Sequence, residues 1–176
     1  MAMDHFMEEV VVKHRRGAQD TLYYLANIVM VLSALLGFSM VTSLMMGITV
    51  ETVVMVVCTL GIAVFLYLRK DQIRTEYEYT FTNGDLDFAQ VYNNRKRKNL
   101  GTMKVKNVAA FGAVNSDKFR KLNHTPGLER RNWFLNREAE LYYFYYQKEN
   151  KKTMIVFEPS AELVSMIHKY LPQGVQ

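Results

Sequence analysis

The sequence has no Lys or Arg between Thr21 and Leu68. Within this stretch lie two apolar runs, Leu22–Met46 and Thr52–Leu68. They contain about 25 and about 17 residues, against about 20 for one crossing of a bilayer core. The absence of buried charge argues against a proton relay, an ion site or a voltage sensor, and hence against a small transporter. We expect a transmembrane hairpin that anchors the protein.

Residues that would build a catalytic or metal centre are also scarce. The single cysteine, Cys58, lies within the second run, so neither an intramolecular disulfide nor a cysteine zinc site is expected. The four histidines are far apart and lack metal-ligand spacing. No Gly-rich phosphate loop, nucleophile elbow or paired-carboxylate motif occurs. We therefore expect no enzyme, no catalytic residue, no cofactor and no metal site.

The protein is basic, with a formal net charge of +5. Basic residues collect on the cytoplasmic side of membrane proteins whatever their function. They flank both outer ends of the hairpin and avoid the link Gly47–Glu51; the topology-determining residues are Lys13, Arg15, Arg16, Arg69 and Lys70. This pattern predicts an integral protein of the plasma membrane with two spans and both termini in the cytoplasm.

Small residues recur every fourth position near the end of the first run, at Ser39, Ser43 and Gly47. Such spacing predicts a helix face that another helix can approach closely. We expect the second span to pack there antiparallel, although a homodimer would use the same feature.

The N-terminal segment, residues 1–20, places apolar residues at helical spacing between Met3 and Val11. The spacing predicts a short amphipathic helix that lies on the membrane surface or covers part of the C-terminal domain, with a frayed terminus as the alternative.

After the hairpin the apolar period changes from helical to two. Arg74–Thr82 and Asp85–Tyr92 alternate apolar and polar residues around Asn83-Gly84, the preferred pair for a two-residue hairpin turn. A polar loop is predicted over Asn115–Asn132. Further strands are predicted from Arg95, within Val105–Val114, and over Glu138–Gln147 and Lys152–Phe157.

A helix is predicted after Pro159-Ser160, because Ser is a favoured N-cap and the apolar residues that follow have helical spacing. Its apolar stripe is Leu163, Met166, Ile167, Tyr170 and Leu171, and Pro172 and Gly174 end it.

Antiparallel strands closed by one amphipathic helix resemble a pleckstrin-homology-like barrel. The paired spans, Tyr77–Asp87, Arg95–Lys98 and Val156–Ser160 resemble a family of small bacterial membrane proteins with two N-terminal helices and a C-terminal bacterial PH-like domain. The resemblance implies a membrane α-helical hairpin plus a soluble α+β domain, an antiparallel PH-like β-barrel capped by a C-terminal helix. The domains would be 1–20, 21–68 and 74–172. It implies a fold and a location, and no particular activity.

Two binding functions remain open for a domain held at the inner leaflet. In the first, an exposed strand edge or loop is presented to a protein partner. In the second, anionic lipid is bound by the basic strand start, Arg95, Lys96, Arg97 and Lys98, at about 1 kcal/mol for each charge near the surface. A charged strand start also keeps an edge strand soluble. Nucleic acid is not expected, because the aromatic residues follow core-building strand patterns.

Overall fold

The computed structural model describes residues 5–149 and 151–175. The chain divides into two compact units. One is the helical unit, Arg15–Thr75; the other, the sheet unit, is formed by the residues before it and after it. Met3 and Asp4, in the predicted amphipathic segment, lie outside the described residues.

The helical unit contains two long helices, α1 (Arg16–Leu44) and α2 (Val50–Arg69), and a 3₁₀ turn over Lys70–Ile73. Both helices are long and apolar enough to cross a membrane. Their less exposed positions include a set that alternates in steps of three and four: Ala26, Met30, Ser33, Gly37, Met40 and Leu44 on α1 and Thr52, Val56, Thr59, Ala63 and Leu66 on α2. A Cβ at Gly37 would lie 2.5 Å from Leu60 Cδ2, so a larger residue there would displace the Leu60 side chain.

The second span does not pack on the face formed by Ser39, Ser43 and Gly47. Ser39 and Ser43 are exposed on α1, and Gly47 lies beyond its end with nothing within 4 Å of a built Cβ. A strict spacing of four drifts by about 40° per step around a helix of 3.6 residues per turn. A seam against one partner instead alternates steps of three and four, as this set of less exposed residues does.

The first sheet has the order β1-β2-β3-β4, with β1 at Phe6–Val11, β2 at Thr75–Thr82, β3 at Asp85–Tyr92 and β4 at Lys96–Lys104. The predicted hairpin between β2 and β3 is confirmed. Its turn residues Asn83 and Gly84 have φ of 49° and 93°, the positive values that the Asn-Gly pair accommodates.

The predicted N-terminal helix was wrong, because β1 pairs antiparallel with β2. Met7 lies opposite Phe81 and Val11 opposite Tyr77, so both apolar side chains face the core. The spacing of apolar residues in this segment fits either a helix or a strand. Tertiary contacts decide between the two, and here the segment forms a strand because it pairs with the hydrogen-bonding groups at the edge of β2. The boundaries 1–20 and 74–172 are corrected accordingly, since a strand from before the helices completes the domain.

The second sheet has the order β5-β7-β8-β6, with β5 at Ala110–Ala113, β6 at Leu128–Trp133, β7 at Tyr142–Lys148 and β8 at Lys151–Phe157. The predicted loop 115–132 contains both β6 and a helix, α3 (Asp117–Asn123). Ser116 caps α3 by accepting a hydrogen bond from Phe119 N at 3.2 Å, and Phe119 is buried. β6 is polar in sequence and forms because it pairs parallel to β8.

Over residues 5–149 and 151–175, eight strands form two four-stranded sheets that do not close into a barrel, which corrects the predicted barrel. Aromatic residues from both sheets meet between them, with the rings of Tyr79 and Phe157 5.6 Å apart. Helix α4 (Ala161–His168) begins after the N-cap Ser160 as predicted, and its Leu163 and Ile167 are fully buried in this core.

Candidate binding surfaces

The outer edge of β1 offers unpaired backbone groups. His5 O accepts a hydrogen bond from Asn83 N at 3.0 Å, which places His5 on the paired side. Since bonding alternates along an antiparallel strand, Phe6, Glu8 and Val10 direct their N–H and C=O groups outward. Among residues 5–149 and 151–175, no strand pairs with this edge. Phe6 is 59% and Val10 49% exposed, so the edge also presents apolar side chains.

Beside this edge lies a cleft of about 280 Å³, here called the β1 cleft. Its floor holds a buried carboxylate, that of Glu158. The cleft is lined by Glu9, Val10, Val11, Val12, His14, Ala139, Glu140, Glu158, Pro159 and Ser160. Three carboxylates around one small space make it a favourable place for a cationic group.

Glu158 is held in place by hydrogen bonds to its carboxylate. Leu135 N and Asn136 N donate to Oε2 at 3.2 and 3.0 Å, and Asn136 Nδ2 donates to Oε1 at 2.8 Å. Asn136 also donates to Val12 O at 2.9 Å and accepts from His14 N at 2.8 Å. One asparagine therefore connects the chain just after β1 to the loop after β6 and to Glu158.

Tyr79 also holds the backbone of Glu158 in place through a hydrogen bond. Its hydroxyl donates to Trp133 O and accepts from Glu158 N, the latter at 3.3 Å. Burial raises the pKa of Tyr79 far above its ordinary value, so the phenol stays neutral.

Glu9 forms the acidic wall nearest to the free edge. Ser160 N, at the start of α4, donates to Glu9 Oε2 at 3.0 Å, and the N-terminus of a helix favours a carboxylate. Burial nevertheless raises the pKa of Glu9, and the nearby charges of Glu158 and Glu162 add to the rise, while the hydrogen bonds from Ser160 oppose it. Burial and the neighbouring carboxylates thus disfavour the charged form of Glu9, and a positive group beside it would favour that form.

The predicted basic strand start does not form one surface. Arg95 lies in the turn before β4, and Arg97 pairs with Glu78 at 2.5 Å. Lys96 and Lys98 lie opposite Tyr92 and Gln90, and alternation places them on the other face from Arg97. All four side chains are exposed, but they are divided between the two faces of an edge strand.

Of the predicted topology residues, four lie at one end of the helical unit. Arg15 is the N-cap of α1 and Arg16 its first residue, while Arg69 is the last residue of α2 and Lys70 follows it. Lys70 Nζ donates to Asn27 Oδ1 at 2.7 Å and lies 5.5 Å from the centre of the Tyr23 ring. The fifth, Lys13, follows β1 in the sheet unit.

The β1 cleft was missed at the sequence level. Glu9 was assigned to the polar side of a helix, and Asn136 and His14 carry no motif that would link them to Glu158. Within the described part of the chain, no group of three His, Cys, Asp or Glu side chains is placed to hold a metal ion.

Within the described residues, two four-stranded sheets and a C-terminal helix form a small domain with a free strand edge, and the same chain carries two apolar helices. The chain matches the family described as Bacterial PH-like domain (DUF6106) over residues 3–176, and it belongs to that family. The match includes both helices and β1 as well as the sheets. Comparison with curated proteins and with solved structures gave no significant match.

Proposed function

We propose that the protein is a membrane-anchored PH-like binding module that takes up an extended segment of a partner protein along the outer edge of β1. The observation that carries the proposal is the free edge formed by Phe6, Glu8 and Val10 beside the acidic β1 cleft. An added strand gains main-chain hydrogen bonds from such an edge, and pockets for its side chains supply specificity.

The chemistry of the edge specifies the partner. Phe6 and Val10 are large and exposed, so they favour apolar side chains at alternate positions of the added strand. Glu9, Glu140 and Glu158 line the cleft and favour a Lys or Arg side chain. The partner segment is therefore extended, amphipathic and basic.

Anchoring is supported by the two apolar helices and by the basic residues at the shared end of α1 and α2. We place both termini on the cytoplasmic side of the plasma membrane. A tag at either terminus should resist protease added to intact cells and be cleaved once the membrane is opened. Cleavage in intact cells would contradict this topology.

The docking proposal is tested with the purified full chain and a displayed library of random peptides about ten residues long. Enriched peptides should carry Lys or Arg among alternating apolar residues. The Glu8→Pro variant should bind them at least tenfold more weakly, because proline removes one outward N–H and leaves the bonds between β1 and β2 in place. The matched variant Glu8→Gln should bind within about twofold of the wild type.

Equal binding by Glu8→Pro and Glu8→Gln, enrichment of acidic peptides, or the enrichment of none would each overturn the proposal. Circular dichroism of both variants checks that the fold is retained. A folded Glu8→Pro variant is expected, since an edge strand tolerates proline where its N–H faces solvent.

A second candidate is the binding of anionic lipid by the basic strand start, favoured by the exposure of Arg95, Lys96 and Lys98. Hydrogen exchange of the full chain in nanodiscs tests it. Phosphatidylglycerol should protect β4 in a salt-dependent way, and changing Arg95, Lys96, Arg97 and Lys98 to Gln should remove the protection. Equal exchange in phosphatidylglycerol and in neutral phosphatidylcholine would exclude it.

A further inference from the structure

An apolar groove runs along the helical unit between α1 and α2, with a volume of about 580 Å³. We call it the hairpin groove. Its walls include Met30, Ala34 and Phe38 on α1 and Leu60, Ala63 and Tyr67 on α2. The volume lies within the range of about 300–1,000 Å³ typical of small-molecule sites.

The length of the groove matches one leaflet of a bilayer. Residues 30–38 of α1 and 60–67 of α2 span about 12 and about 10 Å at 1.5 Å per residue. Half of a bilayer's hydrocarbon core is about 15 Å deep. A helix from a second copy would cross the whole core, whereas a single acyl chain fits this depth.

One end of the groove is basic. Asn27 lies three residues before Met30 on α1, and Lys70 lies three residues after Tyr67, directly after the end of α2. Both residues therefore lie at the same end of the groove. Lys70 donates to the neutral Asn27 amide oxygen at 2.7 Å, which leaves its positive charge uncompensated by that bond. Charges at this end are five basic (Arg15, Arg16, Arg69, Lys70 and Arg74) and two acidic (Asp20 and Asp71).

We infer that the hairpin groove binds one acyl chain of an anionic phospholipid of the inner leaflet, with the lipid phosphate at Lys70. Lysine is an effective point-charge partner for phosphate. The inference rests on the proposed membrane anchoring, because only an embedded hairpin places the groove at leaflet depth. The bound lipid would fix the hairpin at one depth beneath the headgroups.

The test uses the delipidated full chain in detergent, titrated with phosphatidylglycerol or phosphatidylcholine and followed by native mass spectrometry. We expect at least fivefold tighter binding of phosphatidylglycerol. Ala34→Phe, which fills the groove, should reduce the binding of both lipids at least fivefold, and Lys70→Gln should abolish the preference for phosphatidylglycerol. Val57→Phe, an exposed position outside the groove, is the control and should bind as the wild type does.

Equal affinity for the two lipids, or unchanged binding by Ala34→Phe, would overturn the inference. Carbonate extraction of membranes that contain each variant separates this failure from that of the anchoring proposal. A wild-type chain that resists extraction but shows no lipid preference refutes the lipid site alone. A chain released by carbonate refutes the anchoring and the lipid site together.

Discussion

The two edge strands of the first sheet differ in how they meet solvent. β4 carries exposed lysines at Lys96, Lys98 and Lys104, the usual protection of an edge strand against pairing with another chain. β1 instead exposes Phe6 and Val10 and adjoins an acidic cleft. The edge of β1 lacks such lysines and lies beside an acidic cleft, and it is the edge that we propose binds a partner.

The largest effect on stability is expected when the edge strand β1 is removed. Deleting residues 5–11 should lower the thermal unfolding temperature of the sheet unit by more than about 10 °C, because Met7 and Val11 no longer cover the core and β2 becomes an exposed edge. Trp133 fluorescence of the full chain in detergent measures this. The chain with Gln at 95–98 serves as the comparison at the other edge, and an equal loss there would refute the distinction.

The second largest effect is expected when the hydrogen bonds that hold the segment after β1 are removed. Asn136→Ala removes the amide that bridges Val12, His14 and Glu158, leaving buried groups unsatisfied at about 1–3 kcal/mol each. The unfolding temperature should fall by several degrees. Asn99→Ala on β4 removes one exposed hydrogen bond to Gly101 N and should cost less than about 1 kcal/mol. Similar losses of stability in the two variants would contradict this prediction.

A smaller effect concerns pH. The pKa of Glu9 is raised from its ordinary value of 4.5, so between the two values the folded state holds more protons than the unfolded state. Stability therefore falls as the pH rises through this window. Glu9→Gln should unfold at a slightly higher temperature than the wild type at pH 7, and the difference should vanish near pH 4. A higher unfolding temperature of the wild type than of Glu9→Gln at pH 7 would contradict this prediction.

The smallest effect is expected for the ion pair on β4. Arg97→Gln breaks its contact with Glu78, but Arg97 is largely exposed, so the loss should be below about 1 kcal/mol. Chemical denaturation of the full chain in detergent would show it as a minor shift in midpoint. A loss of stability above about 2 kcal/mol would mean that the charged residues of β4 stabilise the fold as well as protecting this edge from pairing.

Sequence patterns correctly predicted the features that depend on residues close together in the chain. The Asn83-Gly84 turn, the Ser160 cap and the two apolar helices each depend on residues close in sequence. β1 and β6 could not be predicted in this way, because each forms by pairing with a strand far along the chain. The β1 cleft depends on the same long-range contacts, since Asn136 meets His14 and Glu158 only in the folded sheet unit.

The proposal for β1 is tested most directly by residue-resolved hydrogen exchange of the full chain with and without the enriched basic peptide. With the peptide bound, we expect slower exchange at the outward amides of Phe6, Glu8 and Val10 and no change along Lys96–Lys104. Protection along β4, and none at these three amides, would contradict it.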